Sequence, residues 1–498
     1  MLPSLAPFDA FALTDCEAVM MRRPRAKSLT LLLSVIATGG VVFGQTQGLR
    51  EPDWKKLEPE TLQHFQSLLR LDTTNPPGNE TRAVEYLSRV LTAEGIPFQA
   101  FALEPSRANL VARLRGNGRK RPILMMGHTD TVTVEPAKWT FPPFSATRDG
   151  GYIYGRGSLD DRPHVVAGLM TMIMLKRLNV PLDRDVIFLA ESGEEGTTRV
   201  GIDFMVDQHF DAIDAEYCVA ENAFIQRNEG RIQLAQVATT EKVPRMVELV
   251  AHGPSGHASV PLTGNAVARL SRAIAAVTAW QTPVRLNPTT REYFTRVAAL
   301  AAPDEAARIR TLLNGTPAQI EEVIQYWAEH TPMYASMLRT SISPTIVNGG
   351  MRVNVIPSDA TATLDIRMLP DENPDQFFAE LKRVINDPLV DVKPVEFDGK
   401  PRPLGISTID SDGFRAIQTA VAQNYDTVVV PTMANGASDN AQLRAKGIQC
   451  YGIGTVRDLE DGLKGFASHG DQERIMESEL YRFVRFNWDV VTSLARSR

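Results

Sequence analysis

The sequence has only three cysteines in 498 residues, Cys16, Cys218 and Cys450, and no CxxC spacing among them. That excludes a disulfide framework and a cysteine-built zinc site, so any metal must be held by His, Asp and Glu. Positive charge is not in excess: 53 Lys and Arg stand against 59 Asp and Glu, a formal charge of -6. A general attraction to nucleic acid or to anionic lipid is thereby excluded. No apolar run reaches the roughly 20 residues of a membrane-spanning helix. What the chain does have is 43% hydrophobic and 22% charged residues, ample material for a large packed core with a solvated surface, and neither a disordered nor a collagen-like composition.

Near the N-terminus, the basic stretch Met21-Arg22-Arg23-Pro24-Arg25-Ala26-Lys27 precedes an uncharged, mostly apolar run over 28–44. This is the order of a secretory signal. Cleavage after Gly44, with Val42 and Gly44 at the -3 and -1 positions, starts a mature chain at Gln45, and residues 1–20 read as an upstream start. The expectation is a periplasmic or secreted protein without stable membrane insertion; the alternative is an uncleaved N-terminal anchor. Export leaves Cys218 and Cys450 as two thiols whose pairing the sequence does not decide.

The rest of the chain reads as α/β. A helical pattern after Glu51 (Leu62, Phe65, Leu68, Leu69) stops at Asn75-Pro76-Pro77-Gly78, and a second helix covers 81–94. Strands at 109–114, 123–127 and 186–190, with a helix over 164–178, predict a mostly parallel sheet flanked by helices. From Val243 the texture shifts to alternating strands (246–251, 361–365) around a charged helical stretch at 304–330. The first pattern then returns: a helix at 412–423, a strand at 428–430, a helix at 440–446, a strand at 449–452 and a long C-terminal helix from Gln472. The domains are therefore a first catalytic part at 45–242, an inserted α+β lid at 243–397 and a second catalytic part at 398–498.

Chemistry-bearing residues gather at the ends of these strands. His128-Thr129-Asp130 directly follows the strand 123–127, and residues i and i+2 of an extended backbone share a side, so Asp130 can fix the tautomer of a ligating His128. Gly155-Arg156-Gly157-Ser158-Leu159-Asp160-Asp161 is a glycine-punctuated turn that either delivers a carboxylate into a cleft or simply caps a helix. His164, in the following helix, reads as structural. Glu191-Ser192-Gly193-Glu194-Glu195-Gly196 is either a solvated acidic loop or a cluster whose repulsion needs a cation or proton to offset it. With Glu221 and His469 the pool holds two histidines and several carboxylates, suited to two borderline cations such as Zn²⁺ sharing one bridging carboxylate.

In order and context, His128-Thr129-Asp130-Thr131-Val132, Trp139-Thr140-Phe141-Pro142-Pro143-Phe144, Gly155-Arg156-Gly157-Ser158-Leu159-Asp160, Glu194-Glu195-Gly196, Gly256-His257-Ala258-Ser259 and His469 resemble a dinuclear zinc exopeptidase family. It includes carboxypeptidase S, aminoacylase, succinyl-diaminopimelate desuccinylase and glutamate carboxypeptidase, with carboxypeptidase S the nearest branch. The resemblance covers roughly residues 60 to 480. It implies a catalytic domain with an inserted lid that mediates homodimerisation, and two Zn²⁺ per subunit, with Co²⁺ or Mn²⁺ as alternatives. Carried over by motif, Asp160 bridges the metals, His128 and Glu221 complete one site, Glu195 and His469 complete the other, and Glu194 is the general base. Asp130 orients His128, and His257 stabilises the oxyanion, in its own subunit's site or a dimer partner's. Asn354 and Arg367 contact substrate; for Arg367 the alternative is a strand-end salt bridge.

Where many relatives carry Ser-Asp-x-Arg, this chain has Ser438-Asp439-Asn440-Ala441, with Arg444 as a candidate substitute. The stretch from about Pro283 to Arg339 enlarges the lid. The expected activity is a zinc-dependent metallopeptidase, a dipeptidase or carboxypeptidase acting on small peptides; the alternative is an N-acyl amino acid amidohydrolase. A metal-stabilised peptide-binding protein without turnover is the reading from a different class, and Glu194 argues against it, since a binding module needs no base.

Overall fold

The computed structural model describes residues 51–395 and 400–497. The signal segment 1–44, Cys16 and the boundary at 397 lie outside the described residues. A ten-stranded sheet carries the larger layer of the fold. Its path runs Phe98–Ala102, Ala108–Leu114, Val186–Glu191, Ile123–His128, Tyr217–Ala220, Gln449–Gly452, Arg231–Glu241, Ile225–Asn228 and Val456–Asp458, with Val429–Ala434 paired to Arg231–Glu241. At its centre, Ile123–His128 is parallel to Val186–Glu191 on one side and to Tyr217–Ala220 on the other. The pairs Phe98–Ala102 with Ala108–Leu114, and Ala108–Leu114 with Val186–Glu191, are antiparallel.

The central strands are buried along their whole length, the condition that selects near-continuous apolar runs rather than alternation. One face packs against helices Trp54–Leu69, Arg162–Arg177, Asp412–Tyr425 and Glu477–Ala495. Arg162–Arg177 is buried on every side from Arg162 to Leu175, because it lies between the sheet and outer helices and so needs no polar face. Gly127 permits that approach: a Cβ there would meet the Cβ of His164 at 2.8 Å. On the other face, Ile202–Gln208 and Asn440–Ala445 cover Cys218 and Cys450. These two are in register on neighbouring parallel strands, and both are buried free thiols.

A second, four-stranded antiparallel sheet runs Ser341–Gly349, Asp359–Met368, Val243–His252, Val390–Val395. Helices Ala266–Ala279 and Pro374–Ile385 close its core. Strand Asp359–Met368 alternates buried and half-buried residues, as a sheet covered on one face requires. At the entry to this region the ammonium of Lys242, fully buried, is bonded to the carbonyls of Ser336 and Arg339, both at 2.9 Å.

Two sequence expectations change. The charged stretch at 304–330 is two helices, Pro303–Asn314 and Pro317–His330, the second started by a capping box between Thr316 and Gln319. The last helix begins at Glu477 rather than Gln472, because Arg474–Met476 is drawn into a small sheet with Tyr152–Tyr154. The helices between Pro288 and Met337 build their core around Phe294 and Trp327, whose rings stack with centroids 5.4 Å apart. That core includes Leu234, Val430 and Met433 of the large sheet.

Candidate functional site

Three adjacent parallel strands end at one place. His128 closes Ile123–His128 in register with Glu191, the last residue of Val186–Glu191; Glu194 and Glu195 follow in the next turn, and Glu221 directly follows Tyr217–Ala220. The ends of parallel strands are where such sheets present ligand-binding groups. From across the cleft the turn containing Gly157, whose φ of 86° only glycine adopts readily, brings in Asp160. His469 arrives from the loop before the last helix.

Each carboxylate oxygen of Asp160 faces a different histidine: Oδ1 lies 3.0 Å from His128 Nε2, and Oδ2 lies 3.4 Å from His469 Nε2. His469 Nε2 also bonds Glu195 Oε1 at 2.9 Å. Behind His128, Asp130 Oδ1 is 3.4 Å from Nδ1, while Asp130 Oδ2 accepts the side-chain amide of Asn75 at 2.8 Å and the main-chain amide of Glu195 at 3.0 Å. The Asp160 turn is itself clamped. Glu473, fully buried, accepts the Arg156 guanidinium (2.7 Å), the amide of Gly157 (3.1 Å) and the amides of Leu159 (2.7 Å) and Asp160 (3.2 Å).

The electrostatics divide the cluster in two. Burial opposes the charged form of His128, but its bonds to Asp130 and Asp160 outweigh that and hold its pKa well above the usual imidazole value. Bonds to Asp160 and Glu195 push His469 up to about 10. Burial likewise opposes ionisation of Asp160, yet the two histidines hold it well below the ordinary carboxylate range. Glu194 and Glu221 behave oppositely: burial, reinforced by neighbouring carboxylates, holds both well above the normal value. Glu191 is raised the same way, and Asp439, buried with neither oxygen bonded, is pushed up to about 7 despite Arg402 nearby.

This donor set fits divalent metal. Ligand atoms of His128, Asp160 and Glu195, and those of His128, Glu194 and Glu221, lie within 4.8 Å of one another. Imidazole nitrogens and carboxylate oxygens are the ligands borderline cations take. The crowded carboxylates are costly as a set of bare anions, a cost that a bound cation would offset.

Asp160, Glu194, Glu195, Glu221 and His469 line one cavity of about 300 Å³, with His128 buried beneath. A larger cleft of about 960 Å³ starts from the other side of Glu194 and Glu195 and runs to the four-stranded sheet; Arg245, Arg367 and Arg402 line it. Arg367 thus faces this cleft while bonded to Asp365 at 3.0 Å, so the salt bridge and the cleft position coexist. His257 and Asn354 are elsewhere. They sit together on the ladder Gly256–His257 with Val355–Ile356, exposed, and line neither cavity.

Arg444 does not replace the arginine absent at Ala441. Its guanidinium is consumed in the interior by Glu241, Ala238 and Cys450. His164 is buried, with one ring nitrogen on the Asp161 carboxylate and the other 2.6 Å from the carbonyl oxygen of Ile453. Sequence reasoning gave no site role to Glu473 or Asn75, which hold the Asp160 turn and Asp130. Asn75 shows in the sequence only as a turn residue before prolines, and Glu473 only as one acid four residues past His469.

The profile of the peptidase family M20/M25/M40 matches residues 124–492. Among individual proteins, the chain is 30% identical over 328 residues to "Probable carboxypeptidase S-like 2" of Dictyostelium discoideum, covering 64% of this chain and 62% of that protein. It is 27% identical over 379 residues to "N-fatty-acyl-amino acid synthase/hydrolase PM20D1" of Homo sapiens, covering 74% of each. The match thus spans less than two thirds of the Dictyostelium relative. Among solved structures, the M20 family metallo-carboxypeptidase Sso-CP2 from Sulfolobus solfataricus shares the fold with a TM-score of 0.65 at 20% identity, over 87% of this chain and 99% of that one.

Proposed function

The chain belongs to the peptidase family M20/M25/M40, and from that premise we propose that it is a two-zinc exopeptidase, a dipeptidase or carboxypeptidase that hydrolyses the amide bond of small peptides. The N-acyl amino acid amidohydrolase is the second reading, supported by the similarity to the human N-fatty-acyl-amino acid synthase/hydrolase. The observation that carries the proposal is the division of Asp160 between His128 and His469, with Glu194 in the same cavity.

His128, Asp160 and Glu221 would hold one ion and Asp160, Glu195 and His469 the other. The chemistry zinc brings when bound is Lewis acidity toward the scissile carbonyl and a lowered pKa for water. Asp130 keeps His128 in one tautomer and orientation, itself fixed by Asn75. Glu194 takes the proton of the attacking water and passes it to the leaving amine; burial among carboxylates holds its pKa above the ordinary carboxylate value. In the wider cleft, Arg367 and Arg402 suit the terminal carboxylate of an exopeptidase substrate. The test is a mixed library of dipeptides and N-acyl amino acids read by mass spectrometry with zinc, with chelator and with Glu194→Ala. Zinc-dependent release of free amino acid that disappears in the variant supports the reading, and a mutant as active as wild type removes Glu194 from the base role.

Homodimerisation through the four-stranded domain is part of the proposal. Ile346 and Val347 on its edge strand and Met351 and Val353 at its tip are exposed, the last two almost completely, an apolar edge of the kind proteins cover. His257 and Asn354, beside that tip, would then act in the partner's site. Val353→Asp should convert dimer to monomer in sedimentation velocity; a wild-type monomer rejects this part. Export is supported by the basic-then-apolar order of residues 22–44, and a periplasmic product beginning at Gln45 is the expected result of N-terminal sequencing.

A further inference from the structure

Glu221 stands where strand Tyr217–Ala220 ends and the chain turns: the next residue, Asn222, has a φ of 99°. A residue with a Cβ adopts that conformation at a cost, so the turn needs a partner to hold it. The Asn222 side chain provides one, its amide nitrogen donating to Glu241 Oε2 at 2.9 Å and to the Ser438 hydroxyl at 3.0 Å. On the main chain, the Asn440 side-chain amide donates to the carbonyl of Glu221 itself at 2.9 Å.

Glu241 is fixed from several directions. Its buried carboxylate accepts the main-chain amide and the hydroxyl of Ser438, both at 2.8 Å, the Asn222 amide, and Arg444 Nη1 at 3.0 Å. Arg444 balances the charge and cannot swing away, since its other nitrogens are bonded to the carbonyls of Cys450 and Ala238. The following residue secures the strand end from the opposite side: Lys242 Nζ is bonded to the carbonyls of Ser336 and Arg339 and, at 2.8 Å, to the Ser341 hydroxyl, where the inserted helices lead into the four-stranded sheet. Glu241 lines neither cavity, so it can act on the site only through its neighbours. Glu473 makes the same arrangement for Asp160: a buried carboxylate, paired with an arginine, that collects donors from the turn carrying a ligand.

We propose that Glu241 is a positioning residue for Glu221, acting through Asn222, and that it sets the affinity of the ion that His128, Asp160 and Glu221 would hold. The proposal rests on the two-zinc reading. A ligating carboxylate whose main chain can turn loses that freedom when metal binds, and affinity falls by the cost of the ordering; side chains that bond behind a ligand remove the freedom beforehand.

The experiment titrates zinc into the metal-stripped protein in competition with a chromogenic chelator, which resolves two dissociation constants. Glu221→Gln identifies the binding step that belongs to Glu221. Asn222→Gly removes the side-chain amide and leaves a residue at ease with a φ of 99°, so the fold is kept; it should weaken that step about tenfold and leave the other unchanged. Glu241→Gln should weaken the same step by about 10–100-fold. If it does not fold, because Arg444 is left without a counter-charge, Asn222→Gly decides. Asn265→Ala, which removes the cap of helix Ala266–Ala279 in the four-stranded domain, should lower the melting temperature and keep both zinc constants, separating lost stability from lost positioning.

Wild-type zinc constants in Asn222→Gly, or equal weakening of both steps, overturn the proposal. A wild-type protein that takes up a single zinc removes the two-zinc reading. The positioning role then stands if Glu221→Gln and Asn222→Gly both weaken that one ion, and falls otherwise.

Discussion

Through one carboxylate oxygen Glu473 accepts the main-chain amide of Asp160 at 3.2 Å, across 313 residues of sequence. The bond ties the loop that carries His469 to the turn that carries Asp160, so the two groups that meet over one carboxylate are set by a single buried side chain. The Glu473 charge is balanced by Arg156 at 2.7 Å, and four donors converge on its two oxygens.

Glu473→Gln keeps the shape but removes the charge opposite buried Arg156 and turns an N–H toward groups that donate. Breaking a buried pair on one side costs about 3–5 kcal/mol, and loosening a support of a metal ligand costs about 10–100-fold in metal affinity. Thermal melting and zinc competition with a chromogenic chelator measure the two losses. Wild-type zinc affinity in a folded Glu473→Gln protein would show that the Asp160 turn stands without its clamp.

Removing metal should make stability depend on pH. Glu191, Glu194, Glu221 and Asp439 are raised by burial, so between the unfolded carboxyl values near 4 and their raised values the folded chain holds protons that the unfolded chain has released. His128 and His469 are raised by their carboxylate partners, and what they contribute is complete below the unfolded value near 6.5 and fades as pH climbs toward about 10. Both effects have one sign. The melting temperature of chelator-treated protein should fall by several degrees from pH 5 to 9, and zinc, which takes the place of those protons, should abolish the fall. Asp130 and Asp160, held low, act oppositely and only below about pH 4. A flat melting profile without metal contradicts this account of the cluster.

Asn75→Ala removes one of the two donors that hold Asp130 Oδ2. A buried charged acceptor short of a donor costs about 1–3 kcal/mol, and His128 loses a fixed second partner. The expected result is a lower melting temperature with zinc affinity reduced about tenfold. Retention of full zinc affinity would mean that the main-chain amide of Glu195 suffices.

Trp327→Ala opens a cavity beneath the inserted helices, where the indole stacks on Phe294 and bonds Glu305 at 2.6 Å. Loss of a buried aromatic costs about 3–5 kcal/mol. Chemical denaturation measures it, and a cost below 1 kcal/mol would show that these helices do not share the cooperative unit of the large sheet.

The groups of the candidate site were legible in the sequence because they sit at strand ends, where a buried apolar run stops abruptly at His, Glu or Asp. His128 after 123–127, Glu191 to Glu195 after 186–190 and Glu221 after Tyr217–Ala220 follow from spacing that needs no tertiary information. The family order of motifs then assigned roles. The arginines were less legible: Arg444 lies one helical turn from the expected position, yet its guanidinium turns inward to Glu241, and Arg402 between two prolines carries no pattern at all.

By itself the sequence determined the α/β alternation, the ligand types and their attachment to particular strands, since periodicity and strand-end polarity act over a few residues. Only the tertiary structure decided that Asp160 stands between His128 and His469, that Glu473 fixes its turn, and that Tyr293 and Met333 reach the cavity. Those relationships join segments far apart in the chain, and which buried carboxylate meets which donor is settled by packing, where an unpaired charge is too costly to leave and the fold must find its partner.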